Sequence, residues 1–308
     1  MTVFSVRHTT LYRYARPVAF GEHRLMFRPR DSYDQRLIET VLEVEPKPKS
    51  VQWLHDVFGN CVAVVRPGGK SRELRFETRI QVDHSPQAAP DFRADRKALT
   101  YPFAYGEDEA EDLARLIARH YPDPKDEVGQ WARQFVAKGK RTNTGSLLMT
   151  LCYAIRESFS YSRRLEAGTQ PPLQTLHTRR GTCRDFALFM MEAVRSLGFA
   201  ARFVTGYIYV PDRDGSQVLG GGATHAWCEV FIPGAGWVEF DPTNGIVGSR
   251  DLIRVAVTRD PRQAIPLSGS YFGEASDDLG MVVQVNVTTQ DVAPLLLPKQ
   301  AERTFAEG

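Results

Sequence analysis

The sequence predicts an α+β fold in which helices pack on an antiparallel sheet, preceded by an all-β, sandwich-like N-terminal domain. Three stretches of distinct hydrophobic period carry that prediction. Apolar residues recur at every second position up to about residue 85, at helical spacing between residues 107 and 197, and at every second position again from residue 201. Helices followed by antiparallel strands define an α+β arrangement. At 308 residues the chain is long for one core. The reading divides it into a β-rich domain over 1–90, a linker over 91–106, a second domain over 107–290 and a tail over 291–308.

In the first domain, runs such as "LIETVLEVE" and "LRFETRIQVDH" are half-buried strands separated by the turn signals "RPRDSYD", "EPKPKS", "FGN" and "RPGGKS". The last imitates the end of a phosphate-binding loop, but the first glycine of that motif would have to be Val64, so it reads as a hairpin turn. Three prolines and no sustained period mark residues 86–105 as a connector. Helices follow. "DEAEDLARLIARH" puts Leu113, Leu116 and Ile117 on one side, and "DEVGQWARQFVAKG" puts Val128, Trp131 and Phe135 on another. "NTGSLLMTLCYAIRESF" gives a stripe of Leu147, Leu148, Leu151 and Ile155 to which Cys152 belongs as a small core residue. A fourth helix begins at Cys183, with Phe186, Met190, Val194 and Leu197 as its buried stripe. "ARFVTGYIYV", "THAWCEVFI" and "GWVEFD" are strands, the last two joined by "PGAG", and "IRVAVTRD" and "GMVVQVNVT" are strand-like runs beyond them.

Composition narrows the function. Lys+Arg 39 against Asp+Glu 37 leaves a formal charge of +2, which gives no electrostatic reason to expect nucleic acid or an anionic membrane as partner. His8, Arg7, Tyr12 and Arg13 interrupt the place of a signal-peptide core, and no run approaches the ~18–20 apolar residues of a membrane span, so a cytoplasmic location is the default expectation. Cys61, Cys152, Cys183 and Cys228 form no CxxC pair and are expected to be reduced thiols.

Cys183 follows Gly181, which supplies a turn, and Thr182, a helix N-cap residue, so its sulfur meets the positive end of a helix dipole, which favours thiolate. A free thiol with a pKa near ~8.5 remains mostly protonated at neutral pH, so a nearby base is needed. His225 opens one strand and Asp241 closes the next, 16 residues later, which puts both on one edge of the sheet if the hairpin is short. Each has an ordinary reading alone: a buried small hydrophobe, a polar strand residue, a turn starter before Pro242. Their joint placement at three element boundaries makes a nucleophile, a base and an orienting carboxylate the better reading.

Alternation assigns Cys228 to the core with Ala226, Val230 and Ile232, and puts Trp227 on the face of His225, where it shields the imidazole. Zinc on Cys183, His225 and Cys228 is disfavoured, because closely spaced ligand pairs and a P-C-x-x-C pattern are missing. "PDRDGS" is a turn rather than a calcium loop, since its twelfth position would be Ala223. No cofactor is expected. Three glycines in "GSQVLGGGATH" suggest a flap over the cleft, against an ordinary connector.

The pieces "GTCRDFA", "FVTGYIYV", "THAWCEVFIPGAGWVEFDPTNG" and "RVAVTRDPRQAIPLSGSYFG" resemble, in this order, the transglutaminase-like superfamily of papain-type cysteine enzymes. The first ~90 residues resemble the β-rich region that precedes the core in many bacterial members. The resemblance implies Cys183 as nucleophile, His225 as general base and acid, and Asp241 as orienting group, without metal or cofactor. It implies a peptide or amide substrate and either hydrolysis or transfer to an amine; a catalytically silent binding module is the third reading. Arg184 and Arg254 stand where bacterial relatives commonly carry other polar residues, which leaves substrate preference open. The Cys183 N–H is a natural oxyanion donor, with Tyr161 or Gln174 as side-chain candidates for the second. Nothing in the sequence assigns an oligomeric state.

Overall fold

A computed structural model describes residues 2–85, 93–162, 168–210 and 224–291. The first part is all strand: β1 (Thr2–Leu25), β2 (Gln35–Glu45), β3 (Pro48–His55), β4 (Cys61–Pro67) and β5 (Lys70–His84), hydrogen-bonded in the order β2-β5-β1-β4-β3. Pairing of β1 with β5 is interrupted between Arg13 and Val18, where Pro17 has no N–H to donate, and resumes at Val18 and Ala19. The second half of β1 pairs with β4. Tyr14, Leu25, Phe27, Val65, Leu74 and Phe76 form a buried cluster of this β region, whose strands make one connected sheet.

The middle of the chain holds β6 (Thr100–Tyr101), α1 (Glu107–Ile117), α2 (Glu127–Arg133), β7 (Thr142–Asn143), α3 (Thr144–Ser158), β8 (Ser160–Tyr161), α4 (Pro172–Thr178), β9 (Arg180–Gly181) and α5 (Cys183–Ser196). An antiparallel sheet follows, from β10 (Ala201–Ile208), β11 (His225–Ile232), β12 (Gly236–Asp241), β13 (Ile246–Val247) and β14 (Leu252–Thr258), in the order β13-β12-β11-β10-β14. Helix α5 is buried nearly all round, as its mostly apolar sequence requires, and rests on Ala226, Cys228, Val230 and Phe240 of one sheet face. Two of its buried charged side chains, Glu192 and Arg195, answer each other. Arg195 donates to Glu192 at 2.9 Å and to the carbonyls of Leu116, Ala201 and Arg259. Among the described residues no helix is long and apolar enough to cross a membrane.

Two strands close the chain, β15 (Leu267–Phe272) and β16 (Asp278–Asp291), and both pair antiparallel with β1. The stretch 267–290, assigned above to the second domain, therefore belongs to the first sheet. Periodicity marks a strand but carries no information on its partner. The tail 292–308 and part of the linker lie outside the described residues.

The first sheet packs on the second through Phe4, Val6, Ile80 and Val82 against Tyr207, Ile253 and Val255. It also covers the outer edge of β14. The Gln35 amide donates to the Arg254 carbonyl at 2.7 Å and accepts from the Arg254 N–H at 2.8 Å. Asn60 does the same at Val257, with 2.8 and 2.9 Å. Two side-chain amides thus satisfy backbone groups that would otherwise be an open sheet edge.

Candidate active site

The site is built at the start of α5. Thr182 caps the helix by accepting the Asp185 N–H, and the Asp185 carboxylate returns to the Thr182 N–H at 2.8 Å and its hydroxyl at 2.9 Å. The other Asp185 oxygen accepts the Gln170 N–H at 2.8 Å, so one buried carboxylate ties the loop before α4 to the turn before Cys183. Gly181 is required there for space rather than for a left-handed backbone. A Cβ would stand 2.8 Å from that of Asp185 and 3.2 Å from the Phe186 ring. Cys183 ends up 6 % exposed, with its N–H in the first helical turn, where no intrahelical acceptor exists.

His225 and Asp241 meet as the hairpin predicts. Imidazole Nε2 lies 2.8 Å from Asp241 Oδ2, and both side chains are fully buried. The opposite nitrogen, Nδ1, is buried without a hydrogen-bond partner. The Cys183 sulfur lies near enough to raise the basicity of the imidazole. The Nε2 proton faces the carboxylate, which leaves Nδ1 as the nitrogen that can exchange a proton. Asn244, which the sequence reading missed, donates to the same Asp241 oxygen at 2.8 Å, and the Thr243 N–H to the other at 2.9 Å. The signal available was only the turn "DPTNG". Trp227, fully buried, lies stacked on His225 with ring centroids 6.0 Å apart. Gly206, paired with His225, makes room, since a Cβ there would come within 2.8 Å of the Trp227 ring.

The other thiols are placed differently. Cys228 lies in the core with its sulfur toward the Phe240 carbonyl at 3.6 Å, and Cys152 faces the Ile246 carbonyl at 3.8 Å. Burial, reinforced by the Asp241 charge, pushes both thiols up, so they remain protonated. Among the described residues no group of three or more His, Cys, Asp or Glu side chains is arranged to hold a metal ion. Of the two oxyanion candidates, Tyr161 pairs with Gly181 in the parallel β8–β9 ladder, close to Cys183, whereas Gln174 is exposed on α4. The glutamine built into the site is Gln170, whose amide donates to Thr175 and to the Arg180 carbonyl. Trp237 lies at the far end of the hairpin, opposite Phe231 and under Arg202. Residues 211–223, which hold "PDRDGS" and the three glycines of the suggested flap, are outside the described residues.

Residues 129–242 match the transglutaminase-like superfamily and residues 4–83 the bacterial transglutaminase-like N-terminal region. The chain carries a transglutaminase-like core behind a bacterial transglutaminase-like N-terminal region. An uncharacterized protein of Mycobacterium tuberculosis is 28% identical over 301 residues, spanning 94% of this chain and 92% of its own length. One of Mycobacterium leprae is 39% identical over 116 residues, 37% of this chain and 40% of that protein. The "putative cysteine protease" from Cytophaga hutchinsonii shares the fold with a TM-score of 0.70 at 21% identity, over 97% of this chain and 95% of its own.

Within this transglutaminase-like core, neither arginine that departs from the bacterial pattern is a free surface group. Arg184 donates to the Pro261 and Ala264 carbonyls and covers Phe203, which docks the segment after β14 against α5. Arg254 joins Asp34 of the first domain to Glu229 and Glu239, a directly opposed carboxylate pair of β11 and β12.

The electrostatics of the row set a pH dependence. Burial alone lowers the His225 pKa, but the Asp241 charge and hydrogen bond, with the Cys183 sulfur, outweigh it and raise it from 6.5 to about 10. Burial raises the Asp241 carboxyl, and His225, Asn244 and the Thr243 N–H bring it below its ordinary value. A raised histidine stabilises the fold fully below its unfolded pKa of 6.5 and loses that contribution as pH climbs through about 10. The urea midpoint is therefore expected to fall between those values in the native protein, and Asp241→Asn to flatten that slope. Parallel slopes in the two proteins would refute the pairing.

Proposed function

We propose that the chain is a transglutaminase-like cysteine hydrolase that cleaves amide or peptide bonds through a thioester on Cys183. One observation carries this reading: Asp241 occupies Nε2 of His225 and leaves the buried Nδ1 without a partner of its own, available to a nucleophile. A thiol–imidazole pair oriented by a carboxylate is the arrangement that activates sulfur at neutral pH.

His225, protonated at neutral pH, pairs with Cys183 as thiolate, and the thiolate attacks the carbonyl carbon. The Cys183 N–H, aimed along the helix dipole, stabilises the oxyanion. The C–N bond then breaks as His225 gives its proton to the departing amine, which leaves a thioester. Water attacks the thioester carbonyl, His225 takes its proton, and the C–S bond breaks to release the acid and restore the thiolate–imidazolium pair. Asp241 and Asn244 hold the ring, while Trp227 keeps water from one of its faces.

Amine transfer differs only in what intercepts the thioester, so partitioning separates the two. With a peptide-amide substrate and increasing primary amine, free acid is expected to remain the main product. Amine adduct with negligible acid would overturn the hydrolase reading in favour of a cross-linking enzyme.

A further inference from the structure

Both ends of the Cys183–His225–Asp241 row are bordered by exposed arginines. At the carboxylate end, Arg156 on the last turn of α3 approaches Gly245, where its Cγ would lie 3.4 Å from an added Cβ. Gly245 directly follows Asn244, the residue that holds Asp241. At the sulfur end, Arg179 and Arg180 lead into Gly181, Thr182 and Cys183. Arg179 closes α4 in a left-handed conformation with φ 49, its guanidinium carbon 5.8 Å from the centre of the Phe159 ring. Arg180 pairs with Ser160 of β8, just after α3. All three are exposed, and among the described residues none forms an ion pair. The acids of the same stretches do not balance them, because Asp185 is buried and taken up by Thr182 and Gln170, leaving Glu157.

This contrasts with arginines elsewhere. Arg7, Arg75 and Arg79 share Glu77, and Arg254 has three carboxylates around it. Exposed, unanswered guanidinium groups give the fold little, but within roughly a Debye length (~10 Å) of a cleft they concentrate anions there.

We propose that this site favours acyl donors with a carboxylate close to the bond attacked, such as acidic peptides, and that Arg156, Arg179 and Arg180 supply the preference. The proposal rests on the reading of Cys183 as the nucleophile. Arginine suits the task because its planar fork accepts a carboxylate through two parallel N–H donors.

Alkylation tests it without a known substrate. Iodoacetate and iodoacetamide attack the same sulfur and differ in charge. Their rates at Cys183 are followed in the full chain by mass spectrometry, with the Arg156→Gln, Arg179→Gln, Arg180→Gln triple variant beside the native protein and Arg72→Gln as a distant control. The charge of His225 is common to all three proteins and cancels. The iodoacetate-to-iodoacetamide ratio is expected to be about fivefold higher in the native protein and the control than in the triple variant at low salt. That difference should shrink toward unity near 0.5 M salt. Equal ratios in native and triple variant, with Cys183 still reacting quickly, would overturn the arginine proposal and leave the nucleophile intact. No faster reaction at Cys183 than at Cys152 with either reagent would overturn the nucleophile and the proposal with it.

Discussion

Cys183→Ala is expected to abolish amide turnover, by at least about a thousandfold, while the thermal midpoint moves by only a few degrees. The covalent route has no substitute once the sulfur is gone, since Cys152 and Cys228 are buried and held protonated. The structural cost is small because alanine removes one heavy atom from a helix start whose shape is set by Thr182, Asp185 and Gly181. A loss of ~1 kcal/mol corresponds to about 2–4 °C in a chain of this class. Activity assays and a thermal melt on the same preparation decide the matter. A large fall in the midpoint with turnover retained would make Cys183 a packing residue instead.

Arg195→Ala is expected to destabilise the fold by about 3–5 kcal/mol, enough to shift the urea midpoint severely or prevent soluble expression. Arg195 and Glu192 have fully buried side chains, and removing the cation strands the Glu192 carboxylate together with three backbone carbonyls. Glu192 is not isolated on its other side, because the His120 N–H and Arg119 also reach it. Those partners soften the loss without replacing the 2.9 Å contact. The double variant Glu192→Gln with Arg195→Met should recover part of the stability, since no buried charge is then left alone. Equal stability of Arg195→Ala and the native chain would refute the account of α5 given above.

The sequence made legible what depends on local period and on residue type at a boundary. The stripe of α3, the alternation of β10 to β12 and the start of α5 at Cys183 follow from spacing alone. So does the meeting of His225 and Asp241, because a short hairpin leaves adjacent strand ends little freedom. What escaped the reading depends on partners distant in the chain. Asn244 and Asp185 look like ordinary turn and helix residues until their hydrogen bonds are known. Gln35 and Asn60 reveal nothing of β14 some two hundred residues later. The requirement at Gly181 is set by what surrounds it, and the seven-residue α4 is too short for its period to stand out.

The return of β15 and β16 to β1 makes the helix-bearing half an insertion within the β scaffold, with both of its ends anchored in one sheet. During synthesis every strand of the inserted half, through Thr258, has left the ribosome before the scaffold can be finished. Trimming the chain after β14 would therefore spare the cysteine and its neighbours in name while stripping β1 of a paired edge along Thr2–Tyr14, loosening the floor on which β10 and β14 rest.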